Sequence, residues 1–210
     1  DHRDLHSFPT RRSSDLLLDK KNLLIFAEGG TDSIKKLRPL QKGVSRIAFQ
    51  TLEKNKDLDL EILPVGINFT YPSRFNATVM LRVEQPIKVH DYMARYNQDN
   101  KIGHENLLEN LYAAMKKNVI HIEDQKRIKV FEKLVLILRS KHNYSYIPVF
   151  RDDDVPLISE KVLAEKIDGL TEDQLQKVKS DVQFLELEMK NENITLYDLQ
   201  KSPIDRKSVV

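Results

Sequence analysis

Leu23-Leu24-Ile25-Phe26-Ala27 runs unbroken into Glu28-Gly29-Gly30-Thr31-Asp32-Ser33, and Leu37-Arg38-Pro39-Leu40-Gln41-Lys42-Gly43 follows. A continuous apolar run of this length predicts a strand buried on both faces, as in a parallel sheet. The Gly-Gly step predicts a turn at its C-terminal end. Val44, Ile47, Ala48 and Leu52 then recur at helical spacing, which predicts a helix over about residues 40–54. Leu60-Glu61-Ile62-Leu63-Pro64-Val65-Gly66-Ile67 reads as a second buried strand, so residues 23–67 predict a strand–helix–strand crossover unit.

Further along, Ala77, Val79, Leu81 and Val83 alternate with Thr78, Met80, Arg82 and Glu84. That period of two predicts a strand with one buried, apolar face and one more polar face. The remainder is mainly helical. Helices are expected over 105–117, over 124–141, from near Ser159, and over 175–190 with Leu175, Val178, Val182 and Leu185 inside. Thr171 with Gln174 three residues on has the spacing of a capping box. A Tyr/Pro/Asp-rich break separates the second and third of these helices over 143–156.

The two ends read differently from the rest. Residues 1–16 lack an apolar period and match the conceptual translation of a short-read sequencing adapter, and 205–210 match its reverse complement. Both are expected to be non-native tails. Setting them aside barely moves the charge. Arg3, Arg11 and Arg12 balance Asp1, Asp4 and Asp15, while Arg206 and Lys207 exceed Asp205 by one, so the net charge of +2 becomes +1. Near-neutrality argues against a bulk nucleic-acid binder. The chain has no cysteine, which excludes a disulfide, a thiol nucleophile and cysteine-ligated metal. No apolar run is long enough to span a bilayer.

In chemical terms, the opening stretch is a strand ending in a carboxylate and a glycine turn, with Arg38 and Lys42 ahead of a helix. Glycines let backbone N–H groups approach a ligand, and a helix N-terminus favours an anion. The arrangement suits a phosphate-bearing ligand. Taken piece by piece, Glu28-Gly29-Gly30 equally fits a plain turn, the cations a solvated face, and Leu63–Ile67 a core strand.

Together, in order and spacing, the pieces resemble the membrane-associated phospholipid and glycerol acyltransferase family. Phe26-Ala27-Glu28-Gly29 resembles its Phe-Pro-Glu-Gly motif, and Lys42-Gly43 its Lys-Gly pair at a helix start. Leu63-Pro64-Val65-Gly66-Ile67 is similar to its Val-Pro-Val-Gly-Ile strand, and the resemblance continues from Asn68 to Gln85-Pro86-Ile87. Ala27 stands where the family has Pro, and Gly30-Thr31-Asp32 where Thr-Arg-Ser is common. The resemblance implies a partial acyltransferase α/β domain with a mixed sheet flanked by helices over residues 17–122, and a helical annex over 123–203. Residues 204–210 belong to the second tail.

It also implies an activity: transfer of a fatty acyl group from a thioester to a hydroxyl of glycerol 3-phosphate or its monoacyl form, in phospholipid biosynthesis. Glu28, Gly29 and Gly30 would line the phosphate pocket, Lys42 and Gly43 would support it with Arg38, and Pro64 and Val65 would shape its floor. The donor would be acyl-CoA or acyl carrier protein, with no further cofactor and no metal. A membrane surface, on the cytoplasmic face, would be a partner. The family's base is a His with an Asp five residues on. His90, His104, His121 and His142 have Arg95, Glu109, Lys126 and Ile147 there, so each reads as an ordinary surface or element-end histidine. The catalytic block is therefore expected upstream of Leu17, and the chain is expected to be inactive alone. Two other classes fit the residues: a non-catalytic α/β module for a phosphorylated metabolite, and an interaction module using the annex. Within the annex, Phe131, Leu134, Val135, Leu136, Ile137 and Leu138 read as core first and membrane-contacting second.

Overall fold

The computed structural model describes residues 8–30, 34–69, 79–140, 155–196 and 198. Two compact units emerge from the packing. One is built from the described residues up to Gly30 and those within Leu37–Val119. The other is built from Ile34–Lys36 and the described residues from Ile120 onward.

The first unit holds helices α1 (Phe8–Leu18), α2 (Gly43–Lys54), α3 (His90–Gln98) and α4 (Asn100–Asn118). Its strands are β1 (Glu61–Ile62), β2 (Val65–Phe69), β3 (Val79–Val83) and β4 (Ile87–Lys88). Phe49, Leu52, Val89 and Leu107 form a fully buried centre, with Leu17, Leu58 and Tyr92 packed around it. The Phe49 and Tyr96 rings stack 4.1 Å apart. Gly103 lets α4 pass close to α3, because a Cβ there would strike the Tyr96 backbone. Asp99 starts α4 by accepting from the amides of Lys101 and Ile102. Helix α1 runs through the second half of residues 1–16, the stretch expected to be a non-native tail. Its Ser14 and Asp15 accept hydrogen bonds from Lys54 Nζ at 3.0 and 2.8 Å.

The strands correct three sequence expectations. First, residues 21–26 form no strand, and Leu24 and Phe26 are 82% and 69% exposed. A strand meant to be covered on both faces needs neighbours, and among the described residues none pairs with this segment. Second, no parallel crossover forms among the described residues. The sheets are two antiparallel pairs, β1 with β4 and β2 with β3. The expected strand over 60–67 is split at Leu63-Pro64, since proline lacks the N–H a ladder needs. Third, the faces of β3 are reversed. Val79, Leu81 and Val83 are exposed, while Met80 and Arg82 are half-buried. They pair across the hairpin with Phe69, Ile67 and Val65, which puts the aliphatic residues on the uncovered side. Ala77 and Thr78 lie outside the described residues.

The second unit is helical: α5 (Gln125–Ser140), α6 (Val155–Asp168) and α7 (Glu172–Asn191). Phe131 and Val135 are buried, which fits the core reading of that stretch, while Leu134, Leu136, Ile137 and Leu138 are half-buried. The capping box forms in full: Thr171 Oγ accepts from Gln174 N, and the Gln174 side chain accepts from Thr171 N. Leu175 and Val182 face inward as expected, but Leu185 is 38% exposed. Helix α6 starts at Val155, ahead of the expected Ser159, and most of the expected break over 143–156 lies outside the described residues. At the centre, the Arg139 guanidinium holds the Glu160 carboxylate through two bonds of 2.6 and 2.8 Å, with both side chains buried. Ile122 N donates to Lys35 O at 2.9 Å, and Lys36 Nζ reaches Glu123 O at 2.7 Å, so the short Ile34–Lys36 segment is held by this unit.

Candidate functional site

The glycine turn closes on itself through backbone and side chain together. Gly29 has φ +68°, a left-handed conformation that favours glycine. Its amide donates to Phe26 O at 3.1 Å. Glu28 Oε2 accepts from the Arg38 backbone amide at 2.8 Å. Gln41 N donates to Ala27 O at 2.8 Å, which lays the residue before Lys42 back along the turn. Gly29 is needed for this closure by its φ, while Gly30 leaves room for the mobile end of the Arg38 side chain. A Cβ on Gly29 would lie 2.7 Å from Gln41 Cγ, and one on Gly30 would lie 2.9 Å from Arg38 Nη1. Beneath the turn, Ala27 packs with Val44 of α2 and Leu111 of α4, with Leu40, Ile62 and Met115 around them.

The structure therefore brings six of the eight singled-out residues together: Glu28, Gly29, Gly30, Arg38, Lys42 and Gly43. Arg38 lies against Gly30, and Lys42 precedes the first turn of α2. That helix start has no side-chain cap, and nothing lies within 4 Å of where a Gly43 Cβ would be. Uncapped amides of a first helical turn, two nearby cations and open space make a site that can accept an anion.

Pro64 and Val65 sit elsewhere in the unit. Pro64 is fully buried, and its carbonyl accepts from Asn118 Nδ2 at 3.3 Å and Glu84 N at 3.0 Å. Asn68 Nδ2 donates to Asn118 O at 2.8 Å. A Cβ on Gly66 would fall onto the Asn118 carbonyl and 2.5 Å from its Cβ. This stretch is the seat for the C-terminal end of α4. Val65 is half-buried opposite Val83.

One constellation beside the helix start escaped sequence reading. Ser45 Oγ donates to Lys42 O at 3.1 Å, and His104 Nδ1 lies 2.9 Å from Ser45 Oγ. With the serine proton on Lys42 O, Nδ1 carries the hydrogen of this contact; with the serine proton turned to the ring, Nδ1 accepts it. The ring packs edge-on against Phe49 and Tyr96 at 5.2 and 5.3 Å. Burial lowers the His104 pKa, and the Arg46 and Lys42 charges push the same way, against a smaller opposing effect of Glu53. His104 is thus a half-buried residue that braces the start of α2, not a surface histidine. Ser45 and His104 are 59 residues apart, so no local pattern could have linked them. The other described histidines have their own contacts. His90 Nε2 lies 3.0 Å from Leu58 O. His121 Nε2 lies 2.9 Å from Glu123 Oε1. His142 lies outside the described residues.

Comparison with known proteins places this chain near acyltransferases over part of its length. It is 25% identical over 138 residues to an uncharacterized acyltransferase of Schizosaccharomyces pombe, a match covering 65% of the chain and 20% of that protein. It is 25% identical over 113 residues to glycerol-3-phosphate O-acyltransferase 1 of Saccharomyces cerevisiae, covering 52% of the chain and 15% of that protein. The chain thus spans a fifth or less of the length of these curated relatives. No family model matches, and no solved structure matches.

Proposed function

We propose that Glu28, Gly29, Gly30, Arg38, Lys42 and Gly43 hold the phosphate of a glycerol-phosphate acceptor in an enzyme that transfers a fatty acyl group from a thioester. The observation that carries this reading is the 2.8 Å bond from the Arg38 amide to Glu28, which folds Arg38 back onto the glycine turn. With Glu28 so engaged, its role is to close the turn, and the ligand's negative charge faces Arg38, Lys42 and the α2 amides. The similarity to a protein named glycerol-3-phosphate O-acyltransferase supports the choice of acceptor.

In the reaction, the acceptor oxygen attacks the thioester carbonyl, its proton passes to a base, and the thiol departs. Among the described residues no histidine is poised for that role. His104 braces Ser45, and His90 and His121 lie against Leu58 and Glu123. The same reading gives this chain the acceptor's phosphate to hold and leaves the proton to a base elsewhere in the enzyme. Acyl-CoA or acyl carrier protein as donor, and work at the cytoplasmic face of a membrane, belong to the same reading. No helix of the described residues is long and apolar enough to cross a membrane.

The test is glycerol 3-phosphate binding by the chain, followed through the amide resonances of Gly29, Gly30 and Gly43. Those three should shift, and glycerol should leave them unmoved. Arg38→Ala and Lys42→Ala should each weaken binding about tenfold, the scale of one charge-assisted contact. A thioester-release assay on the same chain should show no turnover. Shifts elsewhere with the turn unperturbed would overturn the site, and turnover would overturn the division of labour.

A further inference from the structure

A groove in the second unit lies between α5 and α7 and shares no residue with the glycine turn. Its wider part encloses about 530 Å³, within the range of small-molecule sites. Lys126, Lys129 and Lys133 of α5 line it, with Lys179 of α7 opposite. Its floor is apolar, formed by the buried Val130 and Val182. A second depression of about 340 Å³ shares Val182 and is lined by Leu134, Ile137, Val178 and Leu185. Helical spacing explains the join. Positions 126, 129, 130, 133, 134 and 137 fall along one face of α5, and 178, 179, 182 and 185 along one face of α7.

The groove is therefore polarised along its length. Cations cluster toward the start of α5, and side chains become aliphatic toward Ile137. From Gln125 to Ile137 the helix advances about 18 Å at 1.5 Å per residue. Two carboxylates are present. Glu186 pairs with Lys133 at 2.7 Å, and the exposed Asp181 lies at the apolar end. Lys126, Lys129 and Lys179 make no ion pair among the described residues.

We propose that this groove binds a monomeric single-chain anionic amphiphile, with its phosphate or carboxylate head among the lysines and its acyl chain along Val182, Leu134 and Ile137. The proposal does not depend on the role of the glycine turn, since the two sites are tested with different variants. The experiment is calorimetric titration of the chain with dodecyl phosphate below its micellar concentration. Butyl phosphate serves as the tail-less control and dodecyltrimethylammonium as the control of opposite head charge.

One dodecyl phosphate should bind per chain, with both controls at least about tenfold weaker. Lys129→Glu with Lys179→Glu, and separately Leu185→Asp, should each weaken it by about tenfold or more. All three positions are at least partly exposed, so the fold should persist. Raising ionic strength from about 0.01 to about 0.15 M should weaken binding by the unaltered chain, because the screening length falls from about 30 to about 8 Å. Three results would overturn the proposal: butyl phosphate binding as tightly as dodecyl phosphate, affinity indifferent to the variants and to salt, or binding only to phosphatidylserine-containing vesicles. The first would leave a plain lysine patch, and the last a membrane-facing surface.

Discussion

Gly66 and Gly43 are chemically the same residue in one unit, and the structure predicts opposite outcomes for the same substitution. At Gly66 an added Cβ meets the Asn118 carbonyl and lies 2.5 Å from Asn118 Cβ, both fixed at the end of α4. Overpacking of this kind costs about 1–3 kcal/mol. Relief requires α4 to back away, which strains the Asn68–Asn118 and Asn118–Pro64 hydrogen bonds, each contributing about 1 kcal/mol. Gly66→Ala should therefore cost about 3–5 kcal/mol, a large part of the 5–15 kcal/mol typical of a domain. At Gly43 nothing lies within 4 Å of the new methyl, and the residue opens a helix. Gly43→Ala should stabilise by about 0.5–1 kcal/mol through a less entropic unfolded chain and better helix propensity. With two units in the chain, a single melting curve would blend both. Hydrogen exchange of peptides from α2 and α4 isolates the first unit. Gly66→Ala should accelerate their protected amides by about a hundredfold or more, while Gly43→Ala should slow them a few-fold. If Gly66→Ala left exchange within about threefold of the parent, the close approach of α4 to β2 would be wrong.

Three further outcomes follow from buried or capping groups. Arg139→Met takes the two-bond partner from the buried Glu160 carboxylate, leaving it the Lys35 charge, and should cost about 3 kcal/mol by exchange in α5 and α6, whereas Arg139→Met with Glu160→Met should recover part of it. His104 is held below its ordinary value of 6.5, so the unfolded state takes up a proton first as pH falls. The stability of the first unit should be full above about pH 6.5 and decline as pH drops from there toward the lowered folded value, and His104→Gln should flatten that slope in urea titrations. Thr171→Ala removes the capping box of α7 and should cost about 1 kcal/mol, seen as faster exchange confined to its first turns.

How much of this was legible in the sequence depends on how local each cause is. Helices α2, α4, α5 and α7 were legible because their apolar stripes and the Thr171–Gln174 box lie within a few turns of chain. Helix α3 was not, since its stripe is only Tyr96 with the half-buried Tyr92 and Met93, within nine residues. In β3 the alternation gave two faces correctly, but which face finds a cover depends on what packs there. Leu24–Phe26 shows the same limit, because an apolar run states a preference for burial and not the presence of a neighbouring strand. Ser45–His104, Asn68–Asn118 and Arg139–Glu160 join residues 59, 50 and 21 positions apart, so no short window contains them.

The motif residues also divide by physical task, which their order along the chain hides. Glu28, Gly29, Gly30, Arg38, Lys42 and Gly43 meet around a turn and an uncapped helix start, where polar groups remain open to a ligand. Pro64 and Gly66 meet the end of α4, where every approach is already filled by Asn118. A residue in open space can change binding with little effect on folding, and one in a filled seat cannot be altered without moving its neighbour. Plotting acceptor affinity against stability for variants of both groups should therefore give two separate trends. Arg38 and Lys42 should move along the affinity axis, and Pro64 and Gly66 along the stability axis. A single shared line would mean that Pro64 and Gly66 act at the ligand after all, and that the seat beneath α4 is part of the pocket.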